Sequence, residues 1–185
     1  MTLTLIRLLV VAALGAYAAP QAKNKKMNSP VKTVVDASFE VLAPAGWSAE
    51  RRPDGVILSG PSAESLPTRV IVRYVRPVHA LYGTAEAYMA NLTKPSSIPM
   101  KGWKDGALEN VTAAGRKALR VQRQTTEFVP PESLSPKEVS MREEHLAVPA
   151  AKGFYLLVYT APLALDKAQR PVFRSLVEKG FKPKL

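Results

Sequence analysis

The feature that most constrains the fold is a series of strand-forming segments, of which Gly153 to Thr160 is the most apolar. Its sequence, GFYLLVYT, is typical of a central strand that is buried on at least one face. A second segment, Thr68 to Arg76, alternates polar and apolar residues and is typical of a half-buried strand. Arg69 and Arg73 point to the side opposite Val72. The chain therefore has to bury at least one sheet.

Other short strands are expected on both sides of these two. Residues 60–67, GPSAESLP, contain a glycine and two prolines and are predicted to form a loop. Residues 139–148 are polar on both faces, so we expect a strand that lies nearer an edge or is twisted. The remaining predicted strands are residues 31–37, 38–42, 47–52, 56–58, 106–112 and 116–125.

Two isolated segments have helical spacing. Thr84 is predicted to cap a helix that runs to about residue 92. A second helix has Phe173 and Leu176 on one side and stops at Gly180, with Pro171 predicted as its first residue after a short turn. Because the strands cluster and the helices stand apart, the predicted class is α+β, a mostly antiparallel sheet with helices packed on it.

The N-terminal residues are typical of a secretory signal peptide. Arg7 supplies a positive charge, the apolar run from Leu8 to Tyr17 is too short to span a bilayer, and Ala16-Tyr17-Ala18 is a small-x-small cleavage site. We predict a signal peptide over residues 1–18, a disordered basic leader over 19–31 and a single domain over 32–185. The protein is then periplasmic or secreted; the alternative is a membrane anchor that is never cleaved.

Composition narrows the class of partner. The chain has 26 Lys and Arg against 15 Asp and Glu, a net charge of +11, and it has no cysteine. A lipid anchor on cysteine and disulfide bonds are therefore excluded. The charge favours acidic surfaces, such as anionic lipid, cell-wall polymer or an acidic protein, although it also serves solubility alone. No recognised nucleic-acid-binding motif occurs, so nucleic acid is not an expected partner.

The order of these landmarks resembles a known family. A strand, Phe39-Glu40-Val41-Leu42, leads into the corner Pro44-Ala45-Gly46-Trp47; a helix follows the long strand; a strand pair surrounds Ala114-Gly115; and a closing helix ends in Gly180-Phe181. This pattern resembles an exported bacterial member of the PsbP-like (PsbP, Mog and DcrB-type) α/β/α sandwiches, over roughly residues 32–182. The resemblance implies a non-enzymatic role in binding or stabilising other proteins, and it offers no catalytic residues to carry over.

The residues themselves show no catalytic, cofactor-binding or metal-binding signature. Of the two histidines, His79 is predicted to lie in a surface loop, and His145 shares a strand face with Glu143. Glu143 and His145 would make half of a metal site, but we favour a solvated strand edge over that alternative. No metal and no cofactor are expected, and a hydrolase with an unrecognised site remains only an alternative function.

Basic residues suggest one candidate binding surface. Arg69, Arg73 and Arg120 are predicted on the solvent-facing sides of neighbouring strands, where they would form a positive stripe. The alternative is that they pair with Glu143 or Glu144 across the sheet.

Tyrosines suggest a second candidate surface. Tyr74 and Tyr88, with other tyrosines, would line a groove; the alternative is that they pack in the core with a hydroxyl at the rim. Together these features predict an exported, non-enzymatic binding or assembly protein whose partner is an envelope protein. Binding to anionic lipid or wall polymer is the alternative.

Overall fold

The computed structural model describes residues 33–79, 82–95 and 100–185. The predicted signal peptide and leader lie outside these residues. Within them, neither helix has the length and apolar content that a membrane crossing requires. The helices are α1 (Ala85–Leu92) and α2 (Leu163–Ser175), and a π-helical turn (Leu176–Gly180) follows α2. The strands are β1 (Thr33–Val35), β2 (Phe39–Leu42), β3 (Ser48–Arg52), β4 (Gly55–Ala63), β5 (Leu66–Val75), β6 (Lys104–Asp105), β7 (Glu109–Ala113), β8 (Arg116–Val129), β9 (Lys137–Pro149), β10 (Phe154–Pro162) and β11 (Phe181–Pro183).

The strands of the described residues form two antiparallel sheets. The larger has the order β3-β4-β5-β10-β9-β8-β6, with β7 also paired to β8, and the smaller has the order β1-β2-β11. Helix α1 contacts β8 and β9 on one face of the larger sheet, and α2 contacts β10, β9, β4 and β5 on the other. This is an α/β/α arrangement, so the predicted α+β class with a mostly antiparallel sheet is confirmed.

Strand β10 supplies both halves of the core. Phe154 and Leu156 pack with Met89 beneath α1, whereas Tyr155 and Tyr159 pack with residues of the α2 face, among them the aromatic ring of α2 that stacks on Tyr159. Fully burying side chains of this size contributes about 1.5–3 kcal/mol each. The expectation of a central strand over the GFYLLVYT segment is therefore confirmed.

The loop predicted over residues 60–67 is wrong. These residues are the ends of β4 and β5, joined by a two-residue turn at Glu64 and Ser65, whose φ angles are 53° and 66°. Two consecutive left-handed residues give a hairpin turn whose twist matches that of the strands. The glycine and proline that suggested a loop lie where the pairing shifts register, between Ser59 and Ser62, and such irregularities tolerate both residue types.

The prediction of a strand near an edge over residues 139–148 is also wrong. Strand β9 lies inside the sheet between β8 and β10, and Glu144 and His145 are only 2% and 5% exposed. Polar side chains are tolerated there because facing polar groups bind them. Gln122 of β8 donates its side-chain N–H to the Glu144 carboxylate at 2.7 Å.

The closing helix differs from the prediction at its start. Pro171 lies inside α2, which begins at Leu163, so the expected preceding turn is part of the helix. Pro171 is exposed, and the buried Phe173 and Leu176 hold this segment on the core in spite of the missing backbone hydrogen bond. The predicted stop at Gly180 is confirmed, since the π-helical turn ends there.

Candidate binding site on the α1 face of the sheet

The site begins with a row of four residues that runs straight across the larger sheet. Paired residues of antiparallel strands point to the same face, so these side chains lie next to one another on the α1 face. Helix α1 packs over the apolar residues farther along these strands and leaves this row uncovered. The row, one residue each from β5, β10, β9 and β8, is Arg69, Thr160, Glu143 and Arg123.

An open recess of about 420 Å3 lies over this row. Trp103, from the segment before β6, forms part of its wall, and Thr125 and Thr126 add hydroxyl groups to its lining. Arg69 is exposed at one end, and no ion pair to it is found within the described residues. For brevity, we call the cavity and the row beneath it the α1 recess.

A chain of hydrogen bonds connects α1 to the recess. The Tyr88 hydroxyl lies 2.7 Å from Nδ1 of His145, and Nε2 of His145 lies 2.6 Å from Oε1 of Glu143. Arg123 donates from Nη2 to the other carboxylate oxygen of Glu143 at 2.9 Å. The side chains of Arg123 and Glu143 are only 13% and 16% exposed, so water screens this ion pair weakly.

Arg123 is also held by an aromatic ring. Its guanidinium carbon lies 5.3 Å from the centroid of the Trp103 ring, a distance at which cation–π attraction operates. Nε of Arg123 and the indole N–H of Trp103 are buried and have no hydrogen-bond partner among the described residues. The ion pair with Glu143 and the Trp103 ring together hold the Arg123 side chain in place beneath the recess.

The surroundings of Tyr88 and Glu143 determine their protonation states at neutral pH. Burial raises the pKa of Tyr88 to about 12, against the opposing positive charges of Arg73 and Arg123. Burial also opposes ionisation of Glu143, but its hydrogen bond and charge interaction with His145 and the charge of Arg123 outweigh this and hold its pKa below the ordinary value. Tyr88 therefore stays protonated and Glu143 stays ionised at neutral pH. The hydrogen bonds from Tyr88 through His145 to Glu143 join α1 to the larger sheet.

The structure separates the predicted binding residues into two groups. Arg69, Arg73 and Tyr88 belong to the α1 face, whereas Tyr74 and Arg120 point to the α2 face. Strands β5 and β8 are separated by β10 and β9, so Arg120 does not lie on a strand next to Arg69 and Arg73. The prediction of one positive stripe on neighbouring strands is therefore wrong. A role of these residues in binding stays a prediction.

Each member of the second group, and Arg73, has a partner within the protein. Arg120 forms an ion pair with Glu109, and the Tyr74 hydroxyl donates to a backbone carbonyl. Arg73 lies 3.6 Å from a carboxylate oxygen of Asp54. The alternative interpretation expected Arg69, Arg73 and Arg120 to pair with Glu143 or Glu144. Within the described residues, none of the three does so.

Sequence reasoning missed Arg123 and Trp103 of the recess, and it misplaced His145, which lies beside the recess in contact with Glu143. Arg123 lies on the same side of β8 as the buried Val121, and an arginine on an apolar strand face was the available signal. Trp103 lies outside regular structure and gave no signal. His145 is buried, so the expected solvated strand edge was wrong. Within residues 33–79, 82–95 and 100–185, no group of three or more His, Asp or Glu side chains is placed to hold a metal ion.

Comparison with known proteins identifies the fold. No protein-family model matches the chain, and no curated protein matches its sequence. The structure is similar to LpqN of Mycobacterium tuberculosis, a protein involved in cell envelope biogenesis, with a TM-score of 0.51, 10% identity and coverage of 83% of this chain and 90% of LpqN. It is also similar to the cyanobacterial PsbP (CyanoP) of Synechocystis sp. PCC 6803, with a TM-score of 0.50, 12% identity and coverage of 83% and 92%. The chain has a PsbP-like fold, as the order of its landmarks indicated.

Proposed function

We propose that this chain is an exported, non-enzymatic binding protein of the cell envelope, and that it binds a partner protein at the α1 recess. One observation carries the proposal: α1 covers only part of its sheet face and leaves an open recess above the row from Arg69 to Arg123. An uncovered and partly charged sheet face is a surface that another molecule can complete.

The recess has the residue types that dominate protein interfaces. Arginine and tryptophan are enriched among the residues that contribute most to binding energy, and here Arg69, Arg123 and Trp103 share one cavity. Arg123 is fixed in place by Glu143 and Trp103, so it loses little conformational freedom when a partner binds. Arg69 is exposed and can pair with an acidic group of the partner.

The geometry supports a binding role over catalysis. Tyr88 and His145 are only 8% and 5% exposed and do not line the recess, so a substrate bound there does not reach the hydroxyl or the imidazole. A hydrolase that used these residues would lose its activity in the Glu143→Gln and His145→Ala variants. We expect the purified protein to show no hydrolysis that depends on either residue.

The proposed location rests on the N-terminal sequence. Arg7, the short apolar run after it and the cleavage site at Ala18 form the pattern of a signal peptide. The similar fold of LpqN, a protein involved in cell envelope biogenesis, agrees with a role in the envelope. Amino-terminal sequencing of the protein from its native envelope fraction would test this part, with a mature chain starting near residue 19 as the expected result.

The binding role is tested by capture from an envelope extract of the source organism. Residues 19–185 serve as bait at low and at moderate salt, and a stoichiometric protein partner is expected at both. Arg69→Glu should reduce recovery, whereas Arg76→Glu makes the same charge change at an exposed position just beyond β5 and should not. Recovery of no partner at either salt would contradict the binding role. Equal recovery with all three baits would contradict the recess as the binding site.

A further inference from the structure

A second surface lies on the opposite side of the molecule, along the outer side of α2. Residues 42–45, the corner after β2, face Pro171, Val172 and Leu176 across an apolar cavity of about 470 Å3. A neighbouring cavity of about 420 Å3 is lined by Lys167, Arg170 and Arg174 and shares Pro171 with the first. Both cavities border Pro171, and we call the two together the α2 groove.

The two ends of the α2 groove differ in chemistry. At the corner end, the lining is mostly apolar and includes Leu42, which is 42% exposed. At the other end Arg170 is neutralised, because it forms an ion pair with the buried Asp166. Three further cations border the groove, and no ion pair to any of them is found in the part of the chain that the structure describes: Lys167, Arg174 and Lys179. The groove thus combines exposed apolar surface with unneutralised positive charge.

We propose that the α2 groove binds an acidic, amphipathic segment of a partner protein. Apolar side chains of the segment occupy the end lined by residues 42–45 and Val172, and its carboxylates lie over Lys167, Arg174 and Lys179. This goes beyond the proposed function, because the groove lies on the face of the sheet opposite the α1 recess. A protein with both surfaces is able to hold two partners at once, as an assembly protein does.

The shape of the surface favours a protein segment over a membrane. Side chains that enter a lipid interface protrude from the surface, whereas Leu42 and Val172 line a concavity. The apolar side of α2 is not available to lipid either, because Phe173 and Leu176 are buried in the core. From residue 167 to residue 180 the helical rise amounts to about 20 Å, the length of a helix of about 13 residues.

The test uses three synthetic 14-residue peptides and one vesicle. The first peptide has leucine at positions i, i+3, i+4 and i+7 and glutamate on its other side; the second has the same composition in scrambled order; the third has lysine in place of glutamate. The vesicle contains phosphatidylcholine and phosphatidylglycerol. Binding to residues 19–185 is measured by fluorescence anisotropy for the peptides and by sedimentation for the vesicles, and amide resonances locate the bound peptide.

The expected result is binding of the first peptide alone, with resonance shifts confined to residues 42–45 and 163–180. The double variant Arg174→Glu/Lys179→Glu and the single variant Ala45→Asp should each weaken binding about tenfold or more. The matched control Lys94→Glu/Lys117→Glu changes two exposed cations elsewhere and should bind like the wild type. Arg69→Glu should also leave peptide binding unchanged, which separates this proposal from the α1 recess.

Three outcomes would overturn the proposal. In the first, the acidic peptide does not bind, or binds no better than the scrambled or lysine peptide. In the second, the resonance shifts fall around Arg69 and Trp103. In the third, vesicles bind and the Arg174→Glu/Lys179→Glu variant releases them while the acidic peptide fails to bind, which would make the α2 groove a lipid-binding surface.

Discussion

The hydroxyl of Tyr88 on α1 and Nδ1 of His145 on β9 are 2.7 Å apart, in a hydrogen bond between two buried side chains. This contact joins the helix to the sheet beside the α1 recess. On its other side, His145 contacts Glu143, which belongs to the row beneath the recess. The position of α1 and the arrangement of the recess are therefore coupled through one imidazole ring.

Removing the Tyr88 hydroxyl should destabilise the protein without unfolding it. The Tyr88→Phe variant leaves Nδ1 of His145 buried without a partner, which costs about 1–3 kcal/mol. Tyr82→Phe is the matched control, because the Tyr82 hydroxyl accepts an exposed hydrogen bond from Asn91 and its loss should cost less than about 0.5 kcal/mol. Urea denaturation measures both, and equal stability of the two variants would contradict the role of the Tyr88 contact.

The low pKa of Glu143 should make the protein less stable in acid. A carboxyl whose pKa is lowered on folding stabilises the folded state fully above its unfolded value and loses that contribution as pH falls through the folded value. The ordinary value is 4.5, so the free energy of unfolding should fall as pH drops below about 4.5. This fall should be smaller in Glu143→Gln.

The measurement is urea denaturation at a series of pH values from 3 to 7. Glu138→Gln is the matched control, since it removes an exposed ion pair with Lys101 from the same strand. If wild type and Glu143→Gln lose stability in parallel as the solution is acidified, Glu143 does not contribute to the acid dependence.

The fold class could be predicted from the sequence because its strongest signals lie within single segments. The apolar run of β10 and the alternation of β5 are properties of single segments, and both predict the observed strands. The prediction failed where long-range contacts decide. The polar pattern of β9 indicated an edge, but Glu143 and His145 are stabilised by Arg123 and Tyr88, which are distant in sequence.

The recess was less predictable for the same reason. Arg69 and Arg73 share a strand, so their common face follows from alternation alone. Their relation to Arg120 depends on strand order, and two strands lie between them. The row from Arg69 to Arg123 can be recognised only when the register of β5, β10, β9 and β8 is known.

A buried hydroxyl should anchor the C-terminal end of the chain. The Tyr155 hydroxyl accepts the backbone N–H groups of Lys184 at 3.1 Å and Leu185 at 2.7 Å, and donates to the carbonyl of Ser38 at 3.0 Å. Tyr155→Phe removes these bonds and should cost about 1–3 kcal/mol. Amide hydrogen exchange should be faster at Lys184 and Leu185 than in the wild type. Unchanged exchange at these two amides would show that the hydroxyl does not hold this end.

The turn between β4 and β5 should accept a stabilising substitution. Ser65 has a φ of 66°, a conformation that glycine adopts without the steric cost that other residues incur. We expect Ser65→Gly to raise the free energy of unfolding by about 0.5 kcal/mol. Ser62→Gly, in the strand next to this turn, is the matched control and should lower it. Thermal denaturation of the two variants should thus shift in opposite directions, and a shift in the same direction would contradict the turn assignment.

Binding of a partner protein at the α1 recess is measured as the affinity of the captured partner for three forms of residues 19–185: wild type, Arg69→Glu and Arg76→Glu. Arg69→Glu should weaken binding about tenfold or more, because it places a negative charge in the row beneath the recess. Arg76→Glu should bind within about twofold of the wild type, which controls for the change in net charge. If the partner binds at the recess, the two variants should therefore differ in affinity. Equal affinity for wild type and Arg69→Glu, or equal losses in both variants, would contradict binding at the recess.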